Sequence, residues 1–154
     1  MTARKKYMPE MHTAEHILNQ TMVRQFDCGR SFSAHIERKK SKCDYHMDEA
    51  PSAEDIRKVE DRVNEVIRAD MPVTETFLPR QQAREEFDLK RLPDDVDEQI
   101  RIVRVGDYDA CPCIGPHVAS TREIGSFRIT SSDFKDGIFR IRYKLSRPVP
   151  DGSA

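Results

Sequence analysis

Residues 51–69 constrain the fold more than any other part of this chain. Ile56, Val59, Val63, Val66 and Ile67 recur at three- and four-residue intervals, which places them on one helical stripe with charged residues opposite. Ser52 is a natural N-cap, and Glu54 and Asp55 put negative charge at the positive end of the helix dipole. The helix should run to about Ala69. Such a stripe must be buried against another layer, and that layer has to come from the rest of the chain.

A second helix is expected over residues 10–26, after Pro9 in a first-turn position, with Ile17, Leu18, Met22 and Phe26 near helical spacing. Cys28-Gly29 is expected to stop it. Residues 31–37 then alternate Phe32, Ala34 and Ile36 with polar neighbours, the period of a half-buried strand, and residues 42–47 should pair with them as a hairpin. Further along, residues 72–78 read as extended, 81–87 as a short helix, the acidic stretch 93–98 as loop and 100–105 as a strand. Two alternating strands, 124–131 and 138–145, are joined across the turn-rich link 133–137. The expected fold class is therefore α+β, a mostly antiparallel sheet with two long helices packed beside it. Residues 1–145 should form one domain, and residues 146–154, with two prolines and no apolar period, a frayed tail.

Charge limits the partners. Lys and Arg (26) nearly cancel Asp and Glu (27), so no global positive field draws in nucleic acid, and any RNA contact must be local. Arg4-Lys5-Lys6 and Arg38-Lys39-Lys40 with Lys42 are the clusters that can touch phosphate. No apolar run approaches the roughly 20 residues that span a bilayer, and the first ten residues lack the apolar stretch of a secretory signal, so a cytoplasmic location is expected. In that compartment Cys28, Cys43, Cys111 and Cys113 should be reduced, with Cys28 and Cys43 acting as packing thiols.

Chemistry concentrates in two short motifs. His12 and His16, four apart on the first helix, project from one face about one turn apart and can reach a common ion or substrate. Alone, such a pair is more often a solvated edge or a satisfied semi-buried pair than a site. Cys113-Ile-Gly-Pro-His117 also places a thiol and an imidazole four apart, in a Gly/Pro loop after a strand. Together they make a set of one Cys and three His, which suits zinc better than magnesium or calcium, whose shells are oxygen. His12-Thr-Ala-Glu15-His16 also matches the H-x-x-E-H pattern of inverted zinc peptidases, with Glu15 as base. That reading needs a distant third ligand and leaves Cys113 and His117 unexplained, so Glu15 is more simply a solvent-facing carboxylate.

Over nearly its whole length the chain resembles the second additional domain of threonyl- and alanyl-tRNA synthetases and the free-standing alanyl-tRNA editing proteins related to it. His12-Thr-Ala-Glu-His16-Ile-Leu is similar to the family's H-x-x-x-H motif, and residues 55–72 to the helix and turn after its first hairpin. Ile102-Val-Arg-Val-Gly-Asp107, Cys113-Ile-Gly-Pro-His117-Val and Glu123-Ile-Gly-Ser-Phe127 resemble its C-x-x-x-H core and exit strand. Two departures stand out. The loop is closer to the threonyl-type C-x-G-P-H than to the alanyl-type C-G-G-T-H, and Cys111 stands where the threonyl type has Asp.

The resemblance implies a stand-alone hydrolase that cuts the ester of a mischarged tRNA, with His12, His16, Cys113 and His117 lining the pocket for the 3′ adenosine and its amino acid. Serine wrongly charged on threonine or alanine tRNA is the implied substrate. No ATP-binding core or anticodon-binding domain is present in the sequence, which favours editing over aminoacylation. Zinc can in principle activate water and stabilise the carbonyl oxygen, although four protein ligands would close a tetrahedral site. A non-catalytic tRNA-binding module and a structural zinc domain are the alternatives.

Overall fold

The computed structural model describes residues 8–87, 89 and 98–146. The basic cluster Arg4-Lys5-Lys6, nearly all of the acidic stretch 93–98 and the tail beyond Ser146 lie outside the described residues. In chain order the elements are α1 (Pro9–Phe26), β1 (Ser33–His35), β2 (Ser41–His46), α2 (Ala53–Arg68), β3 (Val73–Pro79), α3 (Arg80–Glu86), β4 (Gln99–Val105) and β5 (Asp109–Pro112). A 3-10 turn (Thr121–Ile124), β6 (Ser126–Lys135) and β7 (Ile138–Ser146) follow. The fold is α+β, and every strand pairing is antiparallel.

Among the described residues two sheets form rather than one: a four-stranded sheet in the order β1-β2-β7-β6, and a three-stranded sheet β3-β4-β5. α1 and α2 pack on each other, and α2 packs on β6. The main core joins Ile17, Leu18 and Met22 of α1, Val59, Val63, Val66 and Ile67 of α2, and Cys43, Tyr45, Phe139, Ile141 and Tyr143 of the larger sheet. Each large apolar side chain in it contributes roughly 1.5–3 kcal/mol. A smaller cluster of Ala83, Ile100 and Ile102 holds α3 to the second sheet.

α2 starts in a capping box, in which Ser52 Oγ accepts from Asp55 N and the Asp55 carboxylate accepts from Ser52 N. At the end of α1 the left-handed residue is Asp27 (φ 55°), one of the few non-glycine types that tolerates this conformation, and Gly29 is not needed for it. The first hairpin strand is only three residues long, and Phe32 lies outside it, 40% exposed and stacked on His46 at 3.8 Å between ring centroids. β6 continues through residue 135, because Asp136 (φ 51°) and Gly137 (φ 79°) close a two-residue turn of the type that fits a twisted hairpin. Ile124 belongs to the 3-10 turn, not to a strand.

The direction of α1 matters for the site. Its start lies under Ser41 and Tyr143, where Tyr143 Oη donates to Met11 O at 3.3 Å. Midway, Tyr45 Oη donates to Asn19 Oδ1 at 2.7 Å. Its end, Phe26, shares a cavity with Met47 and Gly137 at the opposite end of the same strands. Among the described residues no helix is long and apolar enough to cross a membrane.

Candidate active site

The first turns of α1 face the loop that leaves β5. That loop carries Cys113 and His117, and Arg101 of β4 fixes it by donating to the backbone oxygens of Cys113 (3.0 Å) and Gly115 (2.7 Å). One ligand atom each from His12, Cys113 and His117 lie within 4.8 Å of one another. His117 Nε2 is 3.3 Å from Cys113 Sγ, and the Gly115 N–H points at the same sulfur from 3.4 Å. His16 lies deeper, 4% exposed, with its ring edge-on to His117 at 4.5 Å between centroids. Its Nδ1 is 3.5 Å from Asp109 Oδ2, too long for a strong hydrogen bond but close enough for charge to act. All four residues singled out in the sequence converge on one place.

Thr13 decides which nitrogen of His117 carries the proton. Its hydroxyl has one hydrogen, given to Pro9 O at 3.0 Å, so it accepts from Val118 N–H at 3.2 Å and from His117 Nδ1 at 2.9 Å. His117 is therefore protonated on Nδ1, and its Nε2 lone pair faces the Cys113 sulfur. Two electron-rich atoms at that distance are compatible only with a proton or a metal cation between them. The donor set thus fits a soft divalent metal.

The buried charges are arranged to keep Cys113 ionised. Burial alone would raise the Cys113 pKa, but a proton shared with His117 Nε2 and contacts with His12 and His16 outweigh it and pull the thiol down to about 3. Burial likewise works against protonated His16, yet Asp109 and Cys113 carry its pKa up to about 9. Asp109 is held well below the usual carboxylate range, because His16 and Arg30 overcome its burial. Arg30 clamps both Asp109 oxygens, at 2.7 and 3.3 Å, and Gln20 Nε2 adds a third contact at 2.8 Å.

These shifts predict a pH profile for chelator-treated protein. The Cys113 contribution is complete above the ordinary thiol pKa of 9.0 and is lost as pH falls towards 3. The His16 contribution is complete below 6.5 and is lost as pH rises through 9. Between pH 6.5 and 9 the two slopes cancel. Below 6.5 the Cys113 loss continues alone, and the lowered pKa of His117, caused first by burial, adds to it. The melting temperature should be level across the upper window and drop steadily below it; a maximum near pH 5 contradicts this charge assignment.

Gly115 admits nothing larger. A Cβ built there would meet His12 Nδ1 and Cε1 at 2.9 Å, inside contact distance. Gly115→Ala should leave the melting temperature within a few degrees but displace the His12 ring, lowering any activity of the site by on the order of 10 to 100-fold. Wild-type turnover in a folded variant would remove His12 from the reacting centre.

Three expectations change or sharpen. Glu15 is buried (7% exposed) rather than solvent-facing, because its side of α1 lies near Arg30, whose charge it stabilises. The peptidase pattern therefore loses its water-facing base. Cys111 sits on the same strand face as Asp109 and Cys113, but burial pushes its thiol up to about 12, so it stays protonated and outside the His12, Cys113, His117 cluster. Thr13, Arg30, Arg101 and Asp109 were not foreseen as site residues. A signal existed only for Asp109, whose alternate spacing with Cys111 and Cys113 becomes visible once β5 is recognised as a strand.

Comparison with known proteins points the same way. Residues 100–142 match the family model described as the threonyl and alanyl tRNA synthetase second additional domain. Over those residues the chain is similar to that synthetase domain. Among curated proteins it is 30% identical over 142 residues to the alanine–tRNA ligase of Pseudoalteromonas translucida and 29% identical over 140 to that of Idiomarina loihiensis. It is 28% identical over 144 residues to that of Methanopyrus kandleri. These matches cover 90–91% of this chain but only 16% of each ligase. The matched stretch of the second additional domain begins on β4 and contains Asp109, Cys113 and His117; α1, with His12 and His16, lies before it.

Proposed function

We propose that this chain is an aminoacyl-tRNA editing hydrolase that cleaves the ester joining a wrong amino acid to the 3′ end of tRNA. The observation that carries this reading is the convergence of His12, Cys113 and His117 donor atoms, with His16 behind them, in a domain related to a part of tRNA synthetases. Ester hydrolysis needs a group to handle the proton of the attacking water and a positive centre near the carbonyl oxygen. In the metal-free site the Cys113–His117 pair suits the first requirement, because Thr13 holds the proton on His117 Nδ1 and leaves Nε2 as the nitrogen that exchanges one. His12, His16, Cys113 and His117 would hold zinc. Bound zinc supplies Lewis acidity at the carbonyl oxygen. The charge of Asp109 acts on His16 from 3.5 Å, and Arg101 keeps the Cys113 loop in place.

Serine misattached to threonine or alanine tRNA is the proposed substrate, tRNA the proposed partner and the cytoplasm the proposed location. A panel of mischarged tRNAs, scored for amino-acid release, tests the function. Seryl-tRNA should be cleaved well above background and correctly charged tRNA spared. Elemental analysis of protein purified without chelator should find about one zinc per chain, lost in Cys113→Ala and kept in Cys111→Ala. Failure of every ester in the panel rejects the reading, and metal-free protein with full activity rejects the role of zinc.

A further inference from the structure

The solvent face of the four-stranded sheet carries a charge gradient that ester cleavage does not use. Cys43, Tyr45, Phe139, Ile141 and Tyr143 point into the core, so alternation turns Lys42, Arg140, Arg142 and Lys144 to the opposite face. The β6–β7 register sets Arg128 beside Lys144 on that face. Asp44 and Asp133 lie within it, and Glu37, bonded to His35 beside Lys42, lies at its edge. Asp44 holds Arg140 at 2.7 and 2.9 Å, and Asp133 holds Arg142 at 3.0 Å. Among the described residues Lys135 stands by itself opposite Ile138, and the remaining cations here are Lys42, Lys144 and Arg128.

Register places these three at one end of the sheet, where Lys42 lies beside Arg142 and the loop bearing exposed Arg38, Lys39 and Lys40 enters β2. This is the end over the start of α1. Ser41 Oγ meets Met11 Sδ at 3.4 Å, and Met11 directly precedes His12. The far end has the opposite sign, with Asp27, Asp48, Glu49, Asp55 and Asp136 lining a cavity of about 630 Å³. In a chain of net charge −1, positive charge has been gathered at the end that holds the His/Cys cluster. Among the described residues the exposed large apolar side chains are Phe32, Phe77 and Ile114, none of them between these cations. The surface therefore offers charge without the apolar centre on which a protein partner depends.

We propose that this basic end of the sheet docks the phosphate backbone of an RNA whose aminoacyl end enters the His12, Cys113, His117 site. The inference rests on the proposed function for the identity of the RNA and adds the surface that positions it. Docking is electrostatic and local, so affinity falls steeply with salt.

The test uses the full chain and a fluorescein-labelled, uncharged acceptor-stem RNA hairpin, titrated between about 50 and 200 mM salt. Replacing Lys42, Arg128 and Lys144 together by alanine should weaken binding about 10-fold or more and lower the slope of log K against log salt by about 2 to 3. Lys135→Ala, on the same face at the far end, should bind as wild type. The triple variant should also hydrolyse the seryl ester of a short CCA oligonucleotide at the wild-type rate, because that substrate never reaches the sheet. Unchanged affinity and slope in the triple variant overturn the proposal, and so does poly-glutamate that displaces the hairpin at equal charge concentration, which assigns the face to an acidic protein. A wild-type chain that cleaves no ester but keeps the predicted salt slope overturns the hydrolase reading and leaves the docking face standing.

Discussion

Replacing His117 by alanine is expected to lower the proposed deacylation of seryl-tRNA by on the order of 100-fold or more in a chain that still folds. His117 is half-buried, and its ring contacts His12, His16, Cys113 and Thr13 rather than the apolar core. Losing it removes a proton-accepting lone pair 3.3 Å from the Cys113 sulfur and one member of the donor cluster. His12→Ala should act similarly, since its ring belongs to the same cluster and closes on Gly115. Thr13→Val offers a milder check, for it keeps the shape and removes the hydroxyl that fixes the His117 proton. Its activity should fall while Thr13→Ser stays near wild type. Single-turnover hydrolysis with circular dichroism on the same samples separates chemistry from folding, and full activity in folded His117→Ala would discard the site.

Asp109→Ala should cost about 3 kcal/mol of stability, the largest effect expected from any single residue of the site. Its carboxylate is shielded from solvent and is held by Arg30, Gln20 and His16. Removing it strands the Arg30 guanidinium and takes away the group that keeps His16 protonated. The Arg30 side chain is 29% exposed and can turn towards water, which keeps the loss at the low end for a broken buried pair. Asp109→Asn should recover part of the loss, because the amide can still meet His16 and Gln20 but cannot neutralise Arg30. Urea denaturation of the three proteins at pH 7 measures this. Equal midpoints for wild type and Asp109→Ala would mean that the cluster contributes nothing to folding.

Arg30, Gln20 and Asp109 carry no signal as clear as that of the two motifs, and the difference has a physical cause. The stripe on α2, its Ser52 cap and the start of α1 at Pro9 follow from local periodicity and capping, which a chain carries wherever it is placed. The two motifs, His12 with His16 and Cys113 with His117, were legible for the same reason: each pair lies four residues apart. That they meet was an inference from donor chemistry, and the distances came only from the folding of the β5 loop against α1.

Other features have no local signature at all. β5 is four residues long and half-buried, so its alternation is too brief to stand out, and with it Asp109 stayed hidden. The division into two sheets depends on which strand edges find partners, a matter of long-range register. Glu15 is buried within electrostatic reach of Arg30, fifteen positions away in sequence. The sequence by itself determined the helices, most of the strands and the two motifs that meet at the candidate site, because those depend on neighbours within a turn or a hairpin. Tertiary structure alone decided the ionisation of Cys113, the proton position on His117 and the gathering of Lys42, Arg128 and Lys144 at one end of the sheet. Each of these depends on distances between segments that only the packed chain brings together.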